Sequence, residues 1–588
     1  MKKLKRIFSL IIAVVMVLAM NVTAFAASGN LTITINNEKT GHTYAAYQVF
    51  SGDLSGNVLS NIVWGDGVGT NAESLLAALK ADLTIGSNFT NCTTAADVAK
   101  VLSDAEGAGE TFESNKANMD TFAAIVGSHL TGTTSGTSQY NDTNKNYTIS
   151  GLASGYYLIK DANAVTGQDF STDFILKLTN NTSVDPKGDV PSVEKKVQED
   201  DKYNQNDGYG TGYNDVADWN IGDNVPFKLI GTLPDNYADY STYKYVFHDT
   251  LSSGLTLNYD AENPNDPEKS SIHVYYASDK EGTGKTVIDP RYYNITTPGT
   301  ETGTKCSFEI AFDNLKAVTG ITANSYIIVE YTAELNTNAV IGLDGNPNDV
   351  YLEFSNNPNA VGEGETGETP EDTVIVFTYE LDVTKVDGAN ENTKLANAQF
   401  VFLNTDKTQV ASVDSNGKFA GWINLTAIDT DKNKEYTAAE FAAYDAANTN
   451  KVILTSNKDG EFGVSGIDDG TYYLREIVAP SGYNLLPGDV KLVITATTSN
   501  GQDYMENDSH DTPGEVLTAL NLSVTIGSST SAGTGDASTG IVSTEVQNNQ
   551  GATLPETGGI GTRIFYAVGA VLMIGAAVIL ITRKRTAK

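Results

Sequence analysis

Leu381-Asp382-Val383-Thr384-Lys385-Val386-Asp387 alternates at period two, and the alternation carries a lysine on its apolar side. Successive side chains of an extended strand point to opposite faces, so Leu381, Val383 and Lys385 share one. If the valine enters a core, the lysine enters with it. Near the end of the chain Thr544, Val546 and Asn548 share a face in the same way. Between these stretches lies Gly470-Thr471-Tyr472-Tyr473-Leu474-Arg475-Glu476-Ile477-Val478-Ala479-Pro480-Ser481-Gly482-Tyr483, which adds a carboxyl group at Glu476. Burial disfavours both charged forms, lowering an amine's pKa and raising an acid's. A neutral amine is a nucleophile, and a protonated carboxyl can polarise an amide and shuttle protons.

Outward from this stretch the chain stays rich in strands. Residues 374–549 read as all-β with one helical insertion near Ala438–Ala447. Residues 190–357 hold strand-like runs at Val225–Leu229, Tyr243–His248, Ile272–Tyr276, Ser307–Phe312, Tyr326–Tyr331 and Val350–Phe354, spaced as in a β-sandwich. Residues 28–180 mix strands (Leu31–Ile35, Tyr147–Ile149, Gly155–Lys160) with helical periodicity over Ser74–Leu83, Ala95–Leu102 and Met119–Leu130. Composition shifts after about Asn180, and again from Asn357 to Asp372, read as linkers. With no repeat of 20–50 residues a solenoid is not expected. The fold class is mainly β: three domains in series forming an elongated rod, the first with additional helices.

The two ends are of another kind. Lys2, Lys3, Lys5 and Arg6 precede an apolar run from Ile7 to Met20, and Ala24-Phe25-Ala26 offers small residues for signal peptidase. At the other end Leu554-Pro555-Glu556-Thr557-Gly558 is followed by an uncharged run, Ile564 to Thr582, and then by Arg583-Lys584-Arg585. That run is long enough to cross a hydrocarbon core as a helix, and the basic tail would stay cytoplasmic. The formal charge is −35 over 588 residues. The two ends carry nine Lys/Arg and no Asp or Glu, so the mature form stands near −44. Such a surface repels nucleic acid and anionic lipid and excludes both as partners. Two cysteines, Cys92 and Cys306, exclude a disulfide framework and leave a single interdomain bridge or two buried thiols.

The carboxy-terminal arrangement resembles the cell-wall sorting signal of Gram-positive surface proteins. That resemblance implies cleavage by a sortase between Thr557 and Gly558 and transfer of the acyl group to an amine. The opening strand and the Glu476 segment resemble the Cna-B-type domain of such proteins, which implies an isopeptide bond between Lys385 and Asn548 with Glu476 as the acid. The middle domain resembles the fimbrial isopeptide-forming domain. It opens with Pro191-Ser192-Val193-Glu194-Lys195-Lys196-Val197, closes with Tyr351-Leu352-Glu353-Phe354-Ser355-Asn356-Asn357-Pro358, and carries Tyr245-Val246-Phe247-His248-Asp249-Thr250-Leu251 between them. Parity favours Lys195 over Lys196 and Asn356 over Asn357, the neighbours remaining as alternatives. Asp249 takes the acid role, and His248 reads as a strand filler. Ahead of that domain, Thr182-Ser183-Val184-Asp185-Pro186-Lys187-Gly188-Asp189 resembles the pilin lysine setting, with Asp185 where the family often has an aromatic. The resemblance gives Lys187 the role of the amine that attacks the next subunit's acyl intermediate.

Taken together, the chain resembles the major (backbone) pilin of sortase-assembled Gram-positive pili, with tandem Ig-like sandwiches of Cna-A/Cna-B type. The implied segments are a signal peptide (1–26), an N-terminal pilin domain (27–187), a fimbrial isopeptide-forming domain (188–370), a Cna-B-type domain (371–552) and the sorting signal (553–588). The implied partners are a sortase, further copies of the chain, minor or tip pilins, peptidoglycan and a host or surface ligand. The alternative is a wall-anchored adhesin or minor pilin attached singly. Asp429-Thr430-Asp431-Lys432-Asn433-Lys434-Glu435 with Glu440 partly resembles a calcium loop, but Lys434 replaces the turn glycine and an acidic turn leading into a helix is the better reading. No HExxH, GxSxG, Walker loop or Cys/His zinc spacing occurs, so no enzyme, metal or cofactor is expected.

Overall fold

The computed structural model describes residues 30–551 except 57, 104, 107–109, 113–115, 163–172, 187–189, 201–207, 264–268, 298–305, 359–364, 431, 434 and 500–515, together with the helix Ile560–Thr586. The signal peptide, Lys187 and Leu554–Gly558 therefore lie outside the described residues. The chain is mostly β, arranged as three successive pairs of facing sheets.

In the first domain one sheet runs Thr182–Val184, Leu31–Ile35, Asn146–Leu152, Gln139–Asn141, and the other Asp173–Leu178, Gly155–Asp161, Tyr44–Ser55, Val58–Trp64. Helices Ala72–Ala81, Ala95–Ser103 and Lys116–Gly127 match the expected periodic segments. Leu75, Leu79, Val98 and Leu102 bury their apolar stripes in a core shared with Val49, Phe50 and Leu158. Thr182–Val184 does not behave as linker: it pairs in parallel with Leu31–Ile35, and Asn36 N donates to Val184 O.

The second domain packs the sheet containing Val193–Gln198, Asn224–Gly231, Tyr326–Leu335 and His273–Ala277 on the sheet containing Asp372–Phe377, Asn346–Ser355, Tyr245–Leu251 and Phe308–Phe312. Their inner faces meet in one core that includes Phe227, Phe247, Phe308, Tyr331 and Leu352. Asp372–Phe377, expected in the third domain, hydrogen-bonds into this sheet instead. Strand alternation explains why: Val374 and Val376 face the second core, while Ile375 and Phe377 face the third. One strand thus contributes to both cores.

The third domain sets Tyr379–Asp387 in parallel with Ile541–Asn548, pairing Lys385 with Val546 and Asp387 with Asn548. First and last strands are thus immediate neighbours. An eight-stranded sheet containing Gln399–Leu403, Gly470–Val478, Val490–Thr498 and Leu517–Ile526 faces them. The helix Ala438–Ala447 stands where expected and is capped by Thr437 and Glu440 in a reciprocal capping box. Glu440 also accepts from Thr430 N, so the acid of the calcium-like segment serves as a cap. Asp431 and Lys434 of that segment are outside the described residues.

Candidate functional site

Two clusters of buried lysine, carboxyl and asparagine occupy corresponding places in the second and third domains. In the second, Val193, Lys195 and Val197 all face inward with no exposure, as the alternation requires. Lys195 Nζ donates to Asp249 Oδ2 at 2.6 Å and to Asn348 Oδ1 at 2.6 Å. Tyr331 closes the ring: its hydroxyl donates to Asp249 Oδ2 at 2.8 Å and accepts from Asn348 Nδ2 at 2.8 Å. Phe227 stacks on Tyr331 at 5.3 Å and Phe308 meets it edge-on at 5.1 Å, walling the ring off from water. Lys196 points the other way, to Asp215 Oδ1 at 2.5 Å.

Burial pushes the Lys195 amine below its ordinary pKa and the Asp249 carboxyl above its own, and each partner opposes the other's shift. Moving one proton from lysine to aspartate leaves a neutral amine against a neutral acid, the combination that amide attack needs. Asp249 Oδ1 has no hydrogen-bond partner among the described residues, so the acid retains an unused acceptor inside the ring.

The asparagine in reach is Asn348, not Asn356. Both lie on the same face of the strand that runs from Asn346, but the antiparallel register puts Asp249 opposite Val350 and Tyr245 opposite Phe354. At about 3.3 Å per residue Asn356 lies roughly 26 Å beyond Asn348, far outside a lysine's reach. Asn356 N instead donates to Glu365 O, and Asn357 Nδ2 to Glu365 Oε2. Parity found the right face and could not fix the position along it. Asn348 and Tyr331 escaped sequence reasoning because cross-strand register leaves no local signal.

In the third domain the three expected residues come together. Lys385 is fully buried and donates to Val546 O at 2.8 Å, two positions before Asn548. Asn548 Nδ2 donates to Glu476 Oε1 at 2.9 Å and to Asn484 O at 2.9 Å, and Leu486 N holds Glu476 Oε2 at 2.8 Å. Burial lowers the Lys385 amine to about 8 and raises the Glu476 carboxyl, each moderated by the other.

One consequence is measurable. In an Asn548→Ala chain the Lys385 amine stays free, with a folded pKa of about 8 against 10.5 in the unfolded chain. Between those values the unfolded state binds more protons, so stability rises with pH. Urea unfolding of this variant should show the third domain gaining up to about 3 kcal/mol from pH 8 to 10.5. A flat profile would show that Lys385 is not desolvated.

At the carboxy terminus, no helix among the described residues is long and apolar enough to cross a membrane. The run expected to do so, Ile564–Thr582, lies inside the helix Ile560–Thr586, whose side chains are described from Phe565 to Leu580 and at Thr582 and Arg583. Phe565, Val571, Leu572, Met573, Ile574 and Leu580 are all exposed on it.

Residues 546–588 match the LPXTG cell wall anchor motif, and residues 421–509, which include Glu476, match the prealbumin-like fold domain. The chain is an exported surface protein with a cell-wall anchor. It is 26% identical over 466 residues to the trypsin-resistant surface T6 protein of Streptococcus pyogenes serotype M6, covering 70% of this chain and 71% of that one. Among solved structures, the T6 backbone pilin of Streptococcus pyogenes aligns over 89% of this chain and 100% of its own, with 17% identity and a TM-score of 0.45. The full-length major pilin SpaD of Corynebacterium diphtheriae aligns over 90% and 99%, with 15% identity and a TM-score of 0.41. The anchor, the prealbumin-like domain and the T6 relative support one class, a wall-anchored surface protein.

Proposed function

We propose that this chain is the shaft subunit of a covalent cell-surface pilus that supports adhesion. The observation that carries this reading is the anchor match over 546–588 on a chain similar over most of its length to the T6 surface protein. A sortase cleaves after Thr557, and the Lys187 amine of another copy takes the acyl group, so each joint is an amide bond between subunits. The apolar run Ile564–Thr582 retains the precursor until cleavage. The same transfer to peptidoglycan fixes the fibre to the wall, and minor or tip pilins join through equivalent chemistry.

Within each subunit, Lys195 attacks Asn348 Cγ and Lys385 attacks Asn548 Cγ. In each case the N–C bond forms, the bond from Cγ to Nδ2 breaks, and ammonia leaves with the proton that Asp249 or Glu476 relays. The ring around Lys195 supports the first reaction, and the Glu476–Asn548 contact beside the buried Lys385 supports the second. Each acid acts once, so the chain is a sortase substrate with single-turnover self-chemistry and not an enzyme. Deleting Leu554–Gly558 should abolish both wall attachment and the high-molecular-weight ladder in wall extracts. A ladder that persists without these residues would overturn the reading.

A further inference from the structure

The outer face of the second domain holds a second constellation, unconnected with the Lys195 ring. His248 lies between inward-facing Phe247 and Asp249, so it faces out, where the register sets it between Glu309 and Tyr351. Cys306, just before the strand Phe308–Phe312, folds back onto the same spot. His248 Nδ1 stands 3.1 Å from Glu309 Oε1 and 3.8 Å from Cys306 Sγ, and Cys306 Sγ stands 3.5 Å from Glu309 Oε1. These three separations come close to one face of a tetrahedron of metal-ligand size: zinc bonds of about 2.0–2.3 Å give edges of roughly 3.3–3.8 Å.

The surroundings prepare each ligand. Tyr351 stacks on the His248 ring at 4.4 Å and 7°, which fixes its plane. His248 Nε2 faces Glu353 Oε2 at 3.4 Å. Glu353 is placed to accept from Nε2 once a metal occupies Nδ1, the outer-shell arrangement that supports histidine as a metal ligand. Thr296 Oγ1 donates to Glu309 Oε2 at 3.1 Å, leaving Oε1 for the site. The His248 and Glu309 side chains retain 12% and 17% exposure, which leaves an entry path.

We propose that His248, Cys306 and Glu309 form a site for one zinc ion, with the fourth position open to water or to a ligand from outside. Mixed imidazole, thiolate and carboxylate donors suit zinc better than calcium or magnesium, which take oxygen. On binding, the Cys306 thiol releases its proton to solvent and the sulfur becomes the third ligand. Burial and Glu309 otherwise hold that thiol up at about 11, so without metal it is a poor nucleophile. The site clamps the segment before Phe308–Phe312 to the strand Tyr245–Leu251 and shields a thiol on an exported protein. Cys306 and Glu309 lie three residues apart, but His248 comes from another strand 58 residues before Cys306, so no complete ligand motif announces the site.

Cobalt(II) chloride added to the mature chain tests this, since a thiolate-bound cobalt gives a near-ultraviolet charge-transfer band. One equivalent should produce the band, and zinc chloride should bleach it. Cys306→Ser should remove it, Cys92→Ser should leave it, and Glu309→Gln and Glu353→Gln should each weaken cobalt binding by about tenfold or more. Should Cys306→Ser fail to fold, the wild-type chain still decides: zinc should slow labelling of Cys306 by a thiol reagent at least tenfold. No band in wild type, a band that survives Cys306→Ser, or labelling indifferent to zinc would overturn the site.

Discussion

Replacing Asn348 by alanine should halve the mass deficit of the mature chain, and replacing Asn356 should leave it untouched. Each isopeptide bond expels one ammonia, about 17 Da by the stoichiometry of the deamidating step. The unsubstituted chain should therefore weigh about 34 Da less than its sequence mass, Asn348→Ala about 17 Da less than its own, and Asn356→Ala again about 34 Da less. Asp249→Ala should match Asn348→Ala, because a neutral Lys195 needs an acid to receive its proton. The stability effect is large because the bond would join residues 153 apart. By analogy with disulfides, closing a loop of that length removes on the order of 5 kcal/mol of unfolded-state entropy. Asn348→Ala should lower the unfolding midpoint of the second domain accordingly and expose it to trypsin. A full 34 Da deficit in Asn348→Ala would sink the assignment, and a deficit lost in Asn356→Ala would restore the other asparagine.

Lys187→Ala should collapse the ladder in wall extracts to a monomer that is still attached to the wall. The donor half of the joint, Leu554–Gly558, is intact in this variant, so sortase still forms the acyl intermediate and passes it to peptidoglycan. Only the acceptor amine on the next subunit is gone. The expected change is close to all-or-none, since removing a nucleophile leaves nothing to attack. Lys187→Arg should behave the same way, because a guanidinium keeps its charge and remains protonated. A ladder unchanged by both substitutions would assign the joint to another lysine. A wild-type chain that forms no ladder at all would favour the singly attached adhesin.

Much of the architecture was legible because it rests on local alternation. The strands around Val225, Tyr326 and Val350 and the helix Ala438–Ala447 stand where periodicity put them. Lys195 was separable from Lys196 for the same reason: period two assigns them to opposite faces, and only one reaches Asp249. Thr182–Val184, kept in the first domain, read as linker, and Asp372–Phe377 read as part of the third domain, because polar surroundings hid short strands whose partners lie in other segments.

By itself the sequence determined which faces are buried and where the anchor motif lies, since each is a property of neighbouring residues; that the lysines meet acids was implied by the family resemblance. Tertiary structure alone decided which asparagine meets Lys195 and that His248, Cys306 and Glu309 converge. Those outcomes depend on how far one strand slides along another. Register is set by the packing of whole sheets, and sliding by two residues keeps every side chain on its face while moving it about 7 Å along the strand.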